Sequence, residues 1–214
     1  MTAIVILMVI YLNKKKDKEI VMNSFYAYLS RMKNIERWAL MRNTSKENIL
    51  EHSAMVGQLA HGIALVANHE CNMNVDANKI ATEGLFHELS EVITGDLPTP
   101  IKYYNQEITS VYKSIEEKAT RQIISTLPEQ YQESYLDIAI LDKDSIEQKI
   151  VKCADKLAAY IKCIEERISG NNEFRHAECV IHDDLMKIAE NFEPLRLFLD
   201  MYLDSFSATL DELK

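Results

Sequence analysis

The chain has 214 residues, is 47% hydrophobic and carries a formal net charge of -9. That length suits one domain with a sizeable core. The acidic balance, with no sustained basic block after the first twenty residues, weighs against a nucleic-acid polymer as partner. A small anionic substrate stays open, because a few local cations or a metal can hold it.

Only 5 Gly and 4 Pro punctuate the chain, which favours long helices over many short strands. The four cysteines, Cys71, Cys153, Cys163 and Cys179, form no CxxC pair. They read as reduced thiols of a cytoplasmic protein, not as a disulfide framework.

Residues 1–12 are largely apolar and are followed by Lys14, Lys15 and Lys16. As a helix that stretch spans about 18 Å, short of a bilayer core of about 30 Å. It has no basic leader and no clear cleavage site, so it makes a poor signal peptide. An extra helix, a weak membrane anchor and an upstream extension are the three readings. The extension is favoured, because the recognisable pattern begins at Met22. The expected organisation is therefore an extension over 1–21 and one helical domain over 22–214, with no membrane partner unless residues 1–12 act as an anchor.

The first expected helix covers 24–33, and 35–44 reads as irregular, with Arg37, Arg42 and the only tryptophan, Trp38. Thr44 and Glu47 fit a capping box, so a helix is expected from there to about Ala67. On it His52, Val56, Leu59 and Ile63 share one face, which points His52 into the protein. A second long helix is expected from about Asp76 to Thr94, stopped by Gly95, Pro98 and Pro100. There Gly84, His87, Glu88 and Glu91 lie on one side, a face suited to line a cavity. Further helices are expected over 106–126, 129–141 and 145–169, the last with a capped start at Asp144 and Glu147 and a stop at Gly170. Two more, over 173–191 and 194–212, close an all-α chain with no internal repeat.

Three helices thus supply potential metal ligands: His52, the pair His87-Glu88, and Asp155. Taken singly each has an ordinary structural reading: a core histidine, a chance dipeptide, and a surface ion pair with Lys152 and Lys156. Together, two imidazoles and two carboxylates suit a divalent first-row metal (Mn, Co, Fe or Zn) better than Mg, and helical bundles host metals in this way. His87 to Glu91 begins like HExxH, but position 91 is Glu, which rejects a zincin protease. Glu91 instead lies one turn beyond His87, where a carboxylate can orient or deprotonate an attacking water.

The pieces RW at 37–38, LMRN at 40–43, ENILEHS at 47–53, HELSEVITGDLPTP at 87–100, KYYN at 102–105, KCADKL at 152–157 and GNNEF at 170–174 resemble, in order and spacing, the YfbR-like 5′-deoxynucleotidases of the HD-domain phosphohydrolase superfamily. The resemblance spans all but the first 21 residues. It implies an HD-domain helical bundle with a metal site between helices, usually a homodimer, that hydrolyses deoxyribonucleoside 5′-monophosphates. It implies His52, His87, Glu88 and Asp155 as metal ligands, the last two also lining the substrate. Glu91 would be the catalytic carboxylate, and Arg37 would hold and orient the phosphate. Trp38 and the turn of Asp96, Leu97, Pro98 and Thr99 would shape the sugar pocket. The chain departs from the pattern once: Glu88 stands where the family has Asp. Two alternatives follow: an HD-domain phosphohydrolase acting on another nucleotide, and a nucleotide-binding dimer weakened by Glu88.

Overall fold

The computed structural model describes residues 23–213. The extension expected over 1–21 lies outside them. Helix α1 (Phe25–Leu29) is followed by a 3-10 turn (Met32–Asn34) and an irregular segment. Then come α2 (Ile49–Glu70), α3 (Ala77–Phe86), two single turns α4 (Glu91–Thr94) and α5 (Thr99–Lys102), α6 (Gln106–Ile124), α7 (Glu129–Ala139), α8 (Ile146–Ile168), α9 (Arg175–Glu190) and α10 (Glu193–Tyr202). No strand occurs among the described residues. The sole extended pairing recorded there is an antiparallel bridge between Glu36 and Asn48.

Helix α2 is the axis of the bundle, packed on α3, α8 and α10, with α9 closing over α8. Its apolar face, Val56, Leu59, Ala60 and Ile63, meets Ile80 of α3, Ile150, Ala154, Leu157 and Ile161 of α8, Leu185 of α9, and Leu195, Phe198 and Leu199 of α10. A second, smaller core joins Phe25 of α1, Leu89, Ile123, Ile124 and Leu127, with Phe86 and Tyr135 against it.

Two expected helices are corrected. The helix expected from Thr44 starts at Ile49, with Asn48 as its N-cap. The Thr44 amide that a capping box would give to Glu47 is already taken: Glu166 accepts from Thr44 N at 2.9 Å and from Ser45 N at 3.2 Å. Asn48 and Glu51 form the capping box instead, so Glu47 is released from capping. The helix expected from Asp76 to Thr94 breaks at Phe86, and residues 87–90 form tight turns with Leu89 N bonded to Phe86 O at 3.1 Å. His87 Nδ1 donates to Gly84 O at 2.7 Å, the acceptor that an unbroken helix would give the Glu88 amide. Smaller shifts follow the caps: α8 is capped by Ser145, not Asp144, and the C-terminal helix ends at Tyr202 before a 3-10 turn.

Candidate metal centre

Helix α2 supplies His52 from its buried face, as its periodicity predicts. The turn after α3 supplies His87 and Glu88, and the middle of α8 supplies Asp155. Two glycines allow the approach. A Cβ on Gly84 would stand 2.8 Å from Gly57 Cα, so α3 lies backbone to backbone on α2. The His52 and His87 rings come to 5.3 Å between centroids.

One ligand atom each from His52, His87, Glu88 and Asp155 can be chosen so that all lie within 4.8 Å of one another. His52 Nε2 is 2.9 Å from Asp155 Oδ1. His87 Nε2 is 3.4 Å from Glu88 Oε1 and 3.9 Å from Asp155 Oδ1. The extra methylene of Glu88 therefore does not carry its carboxylate out of the cluster. Asp155 is not engaged by the lysines beside it: Lys152 bonds Gln148 at 2.8 Å and Lys156 bonds Asp184 at 3.0 Å.

The donor set fits a divalent cation. His87 Nε2 is buried with no hydrogen-bond partner, while its Nδ1 donates to Gly84 O. The bond at Nδ1 orients the ring so that Nε2, whose proton is favoured by the facing Glu88 and Asp155 carboxylates, is the nitrogen that a cation would take in place of that proton. Burial alone would raise Glu88, but the charge of the nearby His87, the adjacent Glu91 and the charge of Arg37 hold it well below the usual range. Glu91, fully buried one turn on, is pushed the other way by burial and by Glu88. The two thus hold one charge and one proton between them, with Glu91 Oε2 left unpartnered.

Arg37 stands at the edge of the cluster, its Nη1 3.8 Å from Glu88 Oε1 and its Nε donating to Glu47 Oε2 at 3.0 Å. Burial would lower it, but Asp155, Glu47, Glu88 and Asp96 outweigh that and keep it cationic. Trp38 has φ 58°, a left-handed backbone that bulky residues rarely adopt. Strain of this kind costs of order 1–3 kcal/mol and concentrates at functional sites. Here the Trp38 amide is taken by Asp96, the ring meets Phe174 at 5.2 Å, and the indole Nε1 donates to Glu47 Oε2 at 3.1 Å.

Arg37, Trp38, Asp96, Pro98 and Thr99 line a cavity of about 250 Å³, together with Leu40, Met41 and Pro100. Leu97 is half-buried and is not among its lining residues, which separates it from the rest of the expected sugar turn. Tyr112 Oη, 3.3 Å from Gly95 O, steadies that turn. Two charged groups at the site escaped sequence reasoning. Lys102, paired with Glu116 at 2.8 Å, has its charge supported by Glu88 and Glu91. Glu47 was read as a helix cap. The signal available for both was position inside the ENILEHS and KYYN stretches.

A family model described as 5′-deoxynucleotidase YfbR-like matches residues 24–206. A 5′-deoxynucleotidase of Photobacterium profundum is 45% identical over 192 residues, covering 88% of this chain and 97% of its own length. One from Yersinia pseudotuberculosis is 44% identical over 195 residues, 90% of this chain and 97% of that one. Among solved structures, an HD-domain phosphohydrolase of Listeria innocua superposes with TM-score 0.73 at 24% identity, over 87% of this chain and 90% of that one. The cyanophage S-2L HD phosphohydrolase, solved with dA and one catalytic Zn2+, superposes with TM-score 0.58 at 17% identity, over 86% of this chain and 96% of its own. The fold is thus that of HD-domain phosphohydrolases. The chain belongs to the YfbR-like 5′-deoxynucleotidase family.

Proposed function

We propose that the protein is a metal-dependent phosphomonoesterase that hydrolyses deoxyribonucleoside 5′-monophosphates to the deoxynucleoside and phosphate. One observation carries the reading: the His52, His87, Glu88 and Asp155 cluster opens beside a cationic Arg37 that also lines the neighbouring cavity. Those four residues would hold the metal, and the two-nitrogen, two-oxygen set favours Mn, Co, Fe or Zn over Mg. A bound cation lowers the pKa of water and neutralises charge developing on the phosphoryl group.

Arg37 binds the phosphate, its Nε anchored so that the terminal nitrogens stay free for phosphoryl oxygens. Glu91 Oε2, buried and unpartnered, is placed to orient the attacking water, and its carboxylate would take the water's proton once a bound cation has displaced the proton it shares with Glu88. Trp38 and Asp96, joined through the Trp38 amide, form the wall that meets the sugar beside Pro98 and Thr99. A rigid wall there crowds a 2′-hydroxyl or leaves it unpaired, which disfavours ribose. The reach of Glu88 into the cluster supports an active site over a disabled one.

The reading includes a homodimer in the cytoplasm. Ile108, Val111 and Ile115 form an exposed apolar stripe along α6, and all four cysteines are free thiols. No helix among the described residues is long and apolar enough to cross a membrane. The deciding experiment is phosphate release from paired deoxy- and ribonucleoside monophosphates with Mn, Co, Mg or chelator. Metal-dependent release from dAMP, dGMP or dTMP and little from AMP is expected. Equal rates on ribonucleotides reject the specificity, and release only from another nucleotide class favours a different HD-domain phosphohydrolase. Light scattering at the mass of one chain would reject the dimer.

A further inference from the structure

Glu47 touches three parts of the site at once. Its Oε2 accepts from Arg37 Nε at 3.0 Å and from Trp38 Nε1 at 3.1 Å. Its Oε1 lies 3.9 Å from His52 Nδ1. His52 is fully buried, that Nδ1 has no hydrogen-bond partner, and its Nε2 faces Asp155. Glu47 is thus the carboxylate that the outer nitrogen of His52 faces.

The backbone holds Glu47 in this place. Arg37 N donates to Glu47 O at 2.9 Å and Ile49 N donates to Ile35 O at 3.0 Å, so residues 35–37 and 47–49 run as a short antiparallel pair. Asn48 and Glu51 cap α2 between themselves, which frees the Glu47 side chain for the site. Its side chain is 16% exposed, so the two hydrogen bonds and the nearby imidazole are poorly screened by water.

Each contact has a chemical consequence. Occupying Nε of Arg37 fixes the plane of the guanidinium and aims its other nitrogens. Accepting from the indole holds Trp38 in its left-handed backbone against Phe174. His52 Nε2 donates to Asp155 Oδ1 at 2.9 Å here; a metal taking that nitrogen would leave the ring proton on Nδ1, facing the Glu47 carboxylate, the outer-shell arrangement that orients metal-binding imidazoles.

We propose that Glu47 is a positioning residue that sets the phosphate-holding Arg37, the sugar wall at Trp38 and the metal ligand His52 as one unit. This rests on the deoxynucleotidase reading for the roles of those three residues. Its own content is that one carboxylate ties substrate affinity to metal affinity.

The test uses the full-length chain and the variants Glu47→Ala and Glu47→Gln. Three measurements are made: calorimetry for the Kd of Mn2+, steady-state kinetics for KM and kcat on dAMP with saturating Mn2+, and the fluorescence of Trp38. Trp38 is the only tryptophan, so its emission reports this contact directly. Glu47→Ala is expected to weaken Mn2+ binding about 10- to 100-fold, to raise KM, and to shift Trp38 emission to the red. Glu47→Gln keeps a carbonyl for Arg37 and Trp38 but turns an amide without charge toward His52. It is expected to hold Trp38 emission near that of the parent while still weakening Mn2+ binding.

A role in folding alone would lower Tm and leave Kd and KM of the folded protein unchanged. Kd and KM within twofold of the parent in both variants overturn the proposal. So does a Glu47→Gln variant that loses Trp38 emission but binds Mn2+ normally. If Glu47→Ala fails to fold, the near-isosteric Gln variant decides. A parent protein that binds Mn2+ yet releases no phosphate from dAMP rejects the deoxynucleotidase reading, while Kd and Trp38 emission still judge Glu47. A parent that works, with both variants like it, rejects Glu47 alone.

Discussion

Glu83 sits where the pattern of α3 calls for an apolar residue. It shares the buried face with Ile80 and Gly84 and is 1% exposed. Its Oε2 has no partner, and its Oε1 is 3.9 Å from Lys79, whose closer contact is Asp137 at 2.8 Å. Burial, followed by the negative charges of Glu147, Asp137 and Asp76, outweighs Lys79 and raises the Glu83 carboxyl from 4.5 to about 7. A folded-state value above the unfolded one means the native state binds the proton more tightly. Stability from this group is therefore full below about pH 4.5 and falls until about pH 7. At about 1.36 kcal/mol for each pH unit between those two values, the loss is bounded at about 3 kcal/mol. The value of about 7 already includes the pull of Lys79, so a loss of about 2–3 kcal/mol, or roughly 4–12 °C in Tm for a chain of this size, is expected. Glu83→Gln keeps the shape and removes the charge. Melting by circular dichroism at pH 5 and pH 8.5 should give a variant-minus-parent difference near zero or slightly negative at pH 5, and higher by that amount at pH 8.5. A difference that is the same at both pH values would show that the carboxylate is hydrated or paired in solution, and the reasoning would be wrong.

Glu166 moves the other way. Burial would raise it, but Lys162, Asn171 and the Thr44 and Ser45 amides lower it to about 2. The stability it contributes is present above about pH 4.5 and lost as pH falls toward 2. Glu166→Ala leaves Lys162 buried without its carboxylate and should cost about 3–5 kcal/mol by urea titration; a loss under 1 kcal/mol refutes the pairing. Phe25→Ala empties the small core beneath the His87 turn, where Leu89 also packs, and should cost about 3–5 kcal/mol in the same assay. An unchanged denaturation midpoint would count against that core. At the site, Arg37→Ala should raise KM for the phosphomonoester about 10- to 100-fold, the worth of a charged hydrogen bond. His87→Ala should abolish stoichiometric Mn2+ binding in calorimetry. Intact Mn2+ binding in that variant would remove His87 from the ligand set.

The scarcity of Gly and Pro and the 3.6-residue spacing around His52 announce helices and one buried imidazole, and the structure agrees. The expectation that Gly84, His87, Glu88 and Glu91 share one face of an unbroken helix fails, since a turn replaces the helix at 87–90, and it is that turn which carries His87 and Glu88 to His52 and Asp155. No Gly or Pro marks that break. It coincides with one side-chain hydrogen bond, from His87 to Gly84 O. The Thr44 capping signal misleads because Glu166, 122 residues away, takes the Thr44 amide from which Glu47 would have to accept in a capping box.

Helical class, the identity of the four donors and the family motifs are written along the chain, because periodicity and residue chemistry are local properties. Packing decided which of those donors meet, through the contact of Gly57 with Gly84 that brings α2 and α3 together. It also decided that Glu47 serves Arg37, Trp38 and His52 instead of a helix end, and that Glu83 is buried without a full partner. Those outcomes turn on competition for hydrogen-bond partners and space among residues distant in sequence, which no local window contains.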